Sequence, residues 1–192
     1  SAVRDENHDF ELNTRGVFGG RGLIDDDRLF FAIGGASGAT PTESALIEQF
    51  QQATGVVGTT NDLAGGAALP DLAALTARRD FGVATLPDAR VWIIGGRSGA
   101  GQGSLVGASD AVLEFDPRSN TLTPMSAVGF TLRHSLGAAA VRTSAGVRIY
   151  AIGGYASTSS TELPTDTVEE YDPFTDTWRT VAPLPTGVGE FG

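Results

Sequence analysis

A short segment ending in two glycines occurs three times in this chain, and its regular spacing constrains the fold more than any single residue does. The copies occupy residues 31–35, 92–96 and 150–154. In each copy an aromatic residue stands three positions before the first glycine, and successive copies are about sixty residues apart. Short apolar runs at a fixed spacing of this size predict a radial or solenoid arrangement of repeated units rather than one globular core.

Three further landmarks recur in the same order around each glycine pair. Upstream is an apolar residue followed by glycine, at residues 18–19, 81–82 and 136–137 and again at 191–192. Downstream is a run in which β-branched or aromatic residues alternate with polar ones, at residues 47–50, 112–115 and 168–171. Such alternation predicts a half-buried strand. Asp116-Pro117 and Asp172-Pro173 then predict turns, because proline fixes φ and aspartate can bond the backbone ahead.

These landmarks together resemble the kelch repeat, in which a strand ending in Gly-Gly is followed by Tyr-Asp-Pro and by an outer strand with a tryptophan. The third copy matches this pattern throughout, including Tyr171 and Trp178. The second copy has Leu122 where the tryptophan is expected. The first lacks Asp-Pro and tryptophan and carries an extra stretch rich in glycine and alanine around residues 59–69. The resemblance covers about residues 15–192.

The resemblance implies an all-β fold of kelch-like β-propeller blades, each a four-stranded antiparallel sheet, around a central channel. We expect about three blades, which are half of a six-bladed ring or part of a larger one. The expected division is a blade at 78–132, a blade at 133–187, a degenerate blade at 15–77 and the start of a further blade at 188–192. Residues 1–14 are then an N-terminal arm or a strand of a neighbouring blade. The glycine pairs allow the backbone to turn sharply and neighbouring blades to approach.

Composition agrees with an all-β fold and narrows the range of partners. The chain has 26 glycines and nine prolines in 192 residues, which favours many turns and little helix. Its net charge is −10, so nucleic acid and anionic membranes are poor partners. Because cysteine is absent, disulfides and thiolate chemistry are excluded. No apolar run is long enough to predict a membrane span.

The arginines and the absence of lysine indicate codon bias in a GC-rich bacterial genome, and a salt-adapted organism is the alternative. The N-terminal Ser1-Ala2 fits the remnant of a removed signal peptide and fits a fragment boundary equally; on the first of these we favour an extracytoplasmic location: secreted, periplasmic or at the cell surface. Three blades would leave an arc with two exposed flanks, because propellers close with four to eight blades. We therefore expect a protein partner, a second copy or further chain to complete the ring.

The resemblance also implies a ligand site, because kelch-type binders often hold their ligand just before each inner strand and just after each glycine pair. The residues at those positions here are Arg79, Asp80, Arg97, His134, Ser135, Tyr155 and Glu190. Their mixed charge suits a carbohydrate or a polar peptide, with Tyr155 as a stacking surface. The alternative is that they are ordinary solvated loop residues.

Three tempting motifs lead to no catalytic residue, metal or cofactor. His134 and Ser135 could be a base and a nucleophile, but neighbouring residues of a strand point to opposite faces. Asp25, Asp26 and Asp27 stand where a hairpin tip is expected, which explains them better than calcium does. Residues 99–103 mimic a phosphate-binding glycine loop, but no helix pattern follows them.

The function predicted from the sequence is a non-enzymatic binding or structural module that mediates protein contacts, or carbohydrate contacts, once its ring is complete. The alternative is a carbohydrate-directed isomerase, epimerase or lyase that uses the channel mouth of the completed propeller. A copper-radical oxidase of the kelch type is excluded for this chain, because that chemistry needs a cysteine. A repeat in a surface layer or filament is a further structural reading.

Overall fold

The computed structural model describes residues 78–98, 109–117, 119, 121–156 and 163–190 in full, and the backbone of six further strands between residues 16 and 59. These residues form antiparallel strands, turns and loops, with no helix among them. The expected all-β fold is therefore confirmed. Within the described part of the chain, no helix has the length and apolar character needed to cross a lipid bilayer.

The strands fall into three four-stranded sheets, which we call blade 1, blade 2 and blade 3. Blade 1 contains β1 (Gly16–Arg21), β2 (Arg28–Ile33), β5 (Ile47–Gln51) and β6 (Val56–Thr59). Blade 2 contains β7 (Gly82–Thr85), β8 (Val91–Ile94), β9 (Val112–Asp116) and β10 (Thr121–Met125). Blade 3 contains β12 (Gly137–Thr143), β13 (Gly146–Ile152), β15 (Val168–Asp172) and β16 (Thr177–Thr180).

Two short pairs complete the topology, and the first strands of the blades lie side by side. β3 (Ala36–Ser37) pairs with β4 (Thr42–Glu43), and β11 (Arg133–His134) pairs with β14 (Tyr155–Ala156). β7 contacts both β1 and β12, which agrees with an inner position for the first strand of each blade. Across the described residues the three sheets do not close a ring.

The register of the first two strands gives the alignment of the blades. Gly82 lies opposite Ile94 in blade 2, and Gly137 lies opposite Ile152 in blade 3. In blade 1 the residue opposite Ile33 is Gly16, whereas Gly19 pairs with Phe30. The sequence alignment of Phe18-Gly19 with Phe81-Gly82 was therefore wrong by three positions. The glycines at 19 and 20 lie inside β1 and do not mark its start.

The predicted turn after the third strand of blade 3 is confirmed by its hydrogen bonds. The Asp172 carboxylate accepts from the Phe174 amide at 2.9 Å. Asp176 has a left-handed φ of 54° and accepts from the Tyr171 hydroxyl at 2.6 Å. The Trp178 indole donates to the Ser126 carbonyl at 2.9 Å, so the outer strand is fastened to the segment that arrives from blade 2.

The hydrophobic core lies between the blades, in two clusters. The first joins Ile33 of blade 1 to one face of blade 2, where Val91, Ile93 and Phe115 are fully buried. The second lies between blades 2 and 3 and contains Trp92, Ile94, Val112, Leu136, Ile149, Tyr171 and Trp178. Because each such side chain contributes about 1.5–3 kcal/mol when removed from water, the joints between blades are the main source of stability.

Burial on β15 differs from the predicted alternation. Val168, Glu169, Glu170 and Tyr171 are all buried, although the sequence predicts a strand buried on one face only. Glu169 is covered by its contacts with the segment that enters blade 3, and Glu170 by side chains of its own sheet. The strand therefore buries two carboxylates that are hydrogen-bonded, which is the condition under which buried charge is tolerated.

The proposed N-terminal arm at 1–14, the Asp25–Asp27 turn, the first glycine pair at 34–35, the 99–103 loop and residues 191–192 lie outside the described residues.

Candidate functional site

The segments that lead into β7 and β12 share a backbone conformation with the described residues 188–190 at the next repeat position. Asp80, Ser135 and Glu190 have left-handed φ angles of 58°, 50° and 59°. The Ser135 amide donates to the Asp80 carbonyl at 2.6 Å, and the Glu190 amide donates to the Ser135 carbonyl at 3.0 Å. The predicted ligand residues at these three positions are therefore joined from blade to blade through their backbones.

The two described glycine pairs, at 95–96 and 153–154, have the role that the sequence assigned to them. Gly95 and Gly96 have φ angles of 67° and 93°. A Cβ on Gly95 would lie 2.5 Å from the carbonyl oxygen of Arg133, which belongs to the entry segment of the next blade. The amide of Gly96 donates to that same carbonyl at 3.0 Å. Only glycine permits this approach without displacing the backbone.

In the entry to blade 2, two arginines surround one carboxylate. Arg79 and Arg97 form an antiparallel bridge through their backbones. The Asp80 carboxylate accepts from Arg97 Nε at 2.6 Å and from Arg79 at 3.2 Å. All three side chains are almost wholly buried. Arg79, Asp80 and Arg97 thus form one compact ionic cluster.

At the equivalent place in blade 3, His134 and Tyr155 stand opposite each other instead of two arginines. Their rings stack with centroids 5.7 Å apart. The backbone of Gly189 also packs closely on the Tyr155 ring, because a Cβ on Gly189 would lie 2.4 Å from Cε2 of Tyr155. Part of the half-buried Tyr155 ring, which we expected to stack on a ligand, is therefore already in contact with His134 and Gly189.

One inference about His134 and Ser135 was wrong. The sequence places neighbouring strand residues on opposite faces, yet His134 Nδ1 lies 3.0 Å from Ser135 Oγ. The reason is the left-handed φ of Ser135, which breaks the alternation and turns the hydroxyl back towards the imidazole. His134 is buried, and its ring is packed against Tyr155. This contact fixes the entry segment of blade 3 at its junction with β14.

Sequence reasoning missed the two arginines that lie under these residues. Arg133 is fully buried and donates to the carbonyls of Gly153 at 2.8 Å and Ala151 at 3.1 Å, and to the Glu169 carboxylate at 2.5 Å. Arg78 takes the same position in blade 2 and donates to the Gly95 carbonyl at 3.1 Å. Burial lowers the pKa of Arg133, while its bonds to Glu169 act in the opposite direction.

A signal for these two arginines was present in the sequence. Arg78 and Arg133 each stand four residues before the glycine that starts the first strand, whereas Val188 occupies that place at the next step. A recurring cation at a repeat position indicates a structural role, because solvated charges have no reason to keep the period. Arg78 and Arg133 donate to the carbonyls of the glycine pairs, and the predicted ligand residues follow them in the same entry segments.

The seven predicted residues therefore divide by exposure. Arg79, Asp80, Arg97, His134 and Tyr155 are held in contacts between and within blades, whereas Ser135 is half-buried and Glu190 is exposed. Among the described residues, no group of three or more histidine, cysteine, aspartate or glutamate side chains has the spacing of a metal site. The arrangement offers polar groups for recognition, and among them the Ser135 hydroxyl lies within hydrogen-bond distance of the His134 imidazole.

Comparison with protein families gives one match. The family model described as "Kelch motif" matches residues 144–185. This range runs from the β12–β13 hairpin through β16, the part of the chain with the Tyr-Asp-Pro turn and Trp178. No curated protein matches the chain. The match covers one repeat, and the assignment of blades 1 and 2 to further repeats stays a prediction.

Proposed function

We propose that this chain is a non-enzymatic binding module whose ring is completed by further blades, because it carries a kelch motif at residues 144–185 and so has the repeat of protein-interaction propellers. The blade next to blade 3 comes from further chain, from a protein partner or from a second copy. Its place is the face of blade 3 that points away from blade 2. An extracytoplasmic location and the blade boundaries at 15–77, 78–132 and 133–187 are parts of this proposal.

The main support is the difference between two equivalent faces. Blade 3 covers one face of blade 2, which we call the forward face of blade 2. The residues of blade 3 that align with this face by strand register make up the forward face of blade 3. In blade 2 these are Ala84, Leu86, Trp92, Ile94 and Val112, and all are buried. By register their counterparts in blade 3 are Ala139, Val141, Tyr150, Ile152 and Val168.

The forward face of blade 3 is less buried than the forward face of blade 2, because no described sheet packs on it. Val141 is 44% exposed where Leu86 is 5% exposed. Tyr150 and Ile152 are half-buried where Trp92 and Ile94 are fully buried. A contiguous apolar sheet face of this kind marks a contact with another protein surface.

The entry to the next blade position is already in place. The Gly154 amide donates to the Val188 carbonyl at 2.7 Å, as the Gly96 amide donates to the Arg133 carbonyl. Residues 188–190 thus follow over blade 3 the path that residues 133–135 follow over blade 2. This repetition supports a four-stranded blade as the covering element, rather than a helix or an irregular loop.

For the mouth we propose recognition of a polar peptide by Ser135 and Glu190, with a carbohydrate as the other ligand class that fits. Arg79, Asp80, Arg97, His134 and Tyr155 would position these two residues and would not contact the ligand with their buried parts. The supporting observation is the backbone ladder that joins Asp80, Ser135 and Glu190 across the blades. The stacked rings of His134 and Tyr155, and the ion pairs of Asp80 with Arg79 and Arg97, favour a scaffold over a catalytic centre.

Light scattering coupled to size exclusion tests the completed ring. If a second copy supplies the covering surface, we expect a particle of twice the chain mass. Ile152→Arg should then reduce the particle to single chains, because it places a charge on the forward face of blade 3. Leu163→Arg is the matched control, since Leu163 is an exposed residue of the described loop before β15. A stable single chain whose melting temperature does not change with Ile152→Arg would rule out a covered face.

A further inference from the structure

A groove between blades 2 and 3 lies on the rim opposite to the glycine pairs. Its volume is about 540 Å³. It is lined by the turn between β7 and β8, by the hairpin between β12 and β13, and by Pro173 and Phe174 at the turn between β15 and β16. These turns join the strand ends that point away from the mouth. The groove is complete within blades 2 and 3, and it shares no residue with the mouth.

Three of the chain's arginines line this groove, although the net charge of the protein is −10. Arg90 is held by Asp88 and by Glu114, each at 2.9 Å. Arg148 is held by Asp172 at 3.0 Å. These carboxylates fix the direction of two guanidinium groups, so little further ordering is needed when a ligand binds.

Arg142 differs from its two neighbours in the groove. Its side chain is exposed and makes no hydrogen bond or ion pair with another described residue. A guanidinium group has five N–H donors in a planar fork, which matches the geometry of a carboxylate. Arg142 therefore supplies the cation that remains available for an anionic ligand group.

An exposed aromatic ring stands at the edge of the same groove. Phe174 is 96% exposed, and its amide is held by Asp172 while Pro173 fixes the preceding φ. The ring is thus presented by an ordered turn. Leu86, Pro87 and Val147 extend the apolar surface into the groove. An aromatic side chain beside an arginine is the composition typical of residues that contribute most to protein contacts.

We infer that this groove binds an extended peptide segment of a partner protein that carries one carboxylate next to an aromatic or aliphatic side chain. The carboxylate pairs with Arg142 and the apolar side chain packs on Phe174 and Val147. A polyanion such as nucleic acid fits poorly, because the groove offers one available guanidinium within an acidic surface. This inference rests on the proposed role as an interaction module and names a second contact surface for it.

Fluorescence anisotropy with a labelled synthetic hexapeptide amide that carries one acidic residue, Ser-Glu-Phe-Ser-Leu-Ser, tests the inference. We expect saturable binding to the wild-type protein with a Kd in the range of about 10–100 μM. Arg142→Ala and Phe174→Ser should each raise the Kd about tenfold, because each removes one of the two contacts. A peptide with lysine in place of the glutamate should not bind.

Two variants outside the groove serve as matched controls. Arg179→Ala removes another exposed arginine, and Val128→Ser removes another exposed apolar side chain. Both should bind the peptide as the wild type does. The inference is overturned if the wild type shows no saturation up to about 1 mM peptide, if both groove variants bind normally, or if the lysine peptide binds equally well.

The result is separable from the test of ring completion. Ile152→Arg alters the forward face of blade 3 and leaves the groove between blades 2 and 3 intact. A single-chain Ile152→Arg protein that still binds the peptide would support the groove whatever the state of the ring. If the wild-type protein forms the completed ring but does not bind the peptide, the groove inference is rejected and the proposed ring completion is unaffected.

Discussion

The forward faces of blades 2 and 3 have the same strand register, but the face of blade 2 is covered by another sheet and the face of blade 3 is not covered by any described sheet. On blade 2 the face is covered by Leu136, Ile149, Tyr171 and Trp178 of blade 3. On blade 3 no described residue beyond the entry segment 188–190 takes that place. The side chains differ accordingly: Trp92 corresponds to Tyr150, Leu86 to Val141 and Thr123 to Arg179. The tyrosine hydroxyl and the arginine make the open face of blade 3 more polar, and the valine makes it smaller, while Ile152 and Val168 keep its centre apolar.

The two glutamates at the equivalent position show what this difference does. Glu114 bonds Arg90 at 2.9 Å, and burial raises its pKa in spite of that cation. Glu170 would have its pKa raised by burial too, but the Tyr150 hydroxyl and Arg179 lower it. Blade 3 thus stabilises its own charge with side chains of the same sheet. A blade that packs on this face would therefore not need to supply a positive charge to pair with Glu170.

The largest effect is expected from removing the aromatic residue at the centre of each face. Trp92→Ala should lower the free energy of unfolding by about 4 kcal/mol, because a fully buried ring is lost between two blades. Tyr150→Ala should lower it by about 1 kcal/mol, since that ring is only half-buried and gives up one hydrogen bond to Glu170. Urea unfolding followed by circular dichroism measures both.

The outcome of this pair distinguishes a bare face from a covered one. Equal losses for Trp92→Ala and Tyr150→Ala would mean that the forward face of blade 3 is covered in solution. A small loss for both would contradict the interblade core itself.

The next largest effect is expected at Arg133, the buried arginine in the segment that leads into blade 3. Arg133→Val places at the entry of blade 3 the residue type that Val188 has at the next step. We expect a loss of about 3 kcal/mol, because the carbonyls of Gly153 and Ala151 and the Glu169 carboxylate lose their donor. Arg142→Val is the control, since its side chain is exposed and should cost under about 0.5 kcal/mol. Similar values for the two variants would show that the buried arginine does not hold the joint.

The sequence predicted the elements of the fold that depend on local chemistry. The glycine pairs, the Asp172-Pro173 turn and the strand with Trp178 could be placed because glycine, proline and aspartate have conformational preferences of their own. Register in the first blade could not be placed. β1 contains glycines at 16, 19 and 20, and only pairing with β2 shows which of them starts the strand.

The sequence could indicate where the candidate residues lie in the repeat but not their conformation, and their role as a ligand site stays a prediction. The resemblance placed Asp80, Ser135 and Glu190 at equivalent positions before a first strand. It could not show that Ser135 takes a left-handed φ, which brings its hydroxyl to His134, because nonglycine residues adopt that conformation only when tertiary contacts hold it. The buried pair of Arg133 and Glu169 was missed for a similar reason, since charged side chains are read as exposed unless a partner is known.

The smallest effect, and the finest test of the two faces, is the dependence of stability on pH. Glu170 has a folded-state pKa below its ordinary value of 4.5, so the stability it contributes is present above pH 4.5 and is lost as the pH falls through the folded pKa. Glu114 has a raised pKa, so its contribution is present below pH 4.5 and is lost as the pH rises through the folded pKa.

Replacing each glutamate by glutamine should therefore change the pH profile in opposite directions. With Glu170→Gln, the free energy of unfolding should fall less on acidification than it does in the wild type. With Glu114→Gln, it should fall more on acidification, because the opposing contribution is gone. Each difference should be under about 1 kcal/mol and is measured by urea unfolding between about pH 3.5 and 6.5. Shifts in the same direction would mean that the two faces share one electrostatic environment, which the different partners of Glu114 and Glu170 argue against.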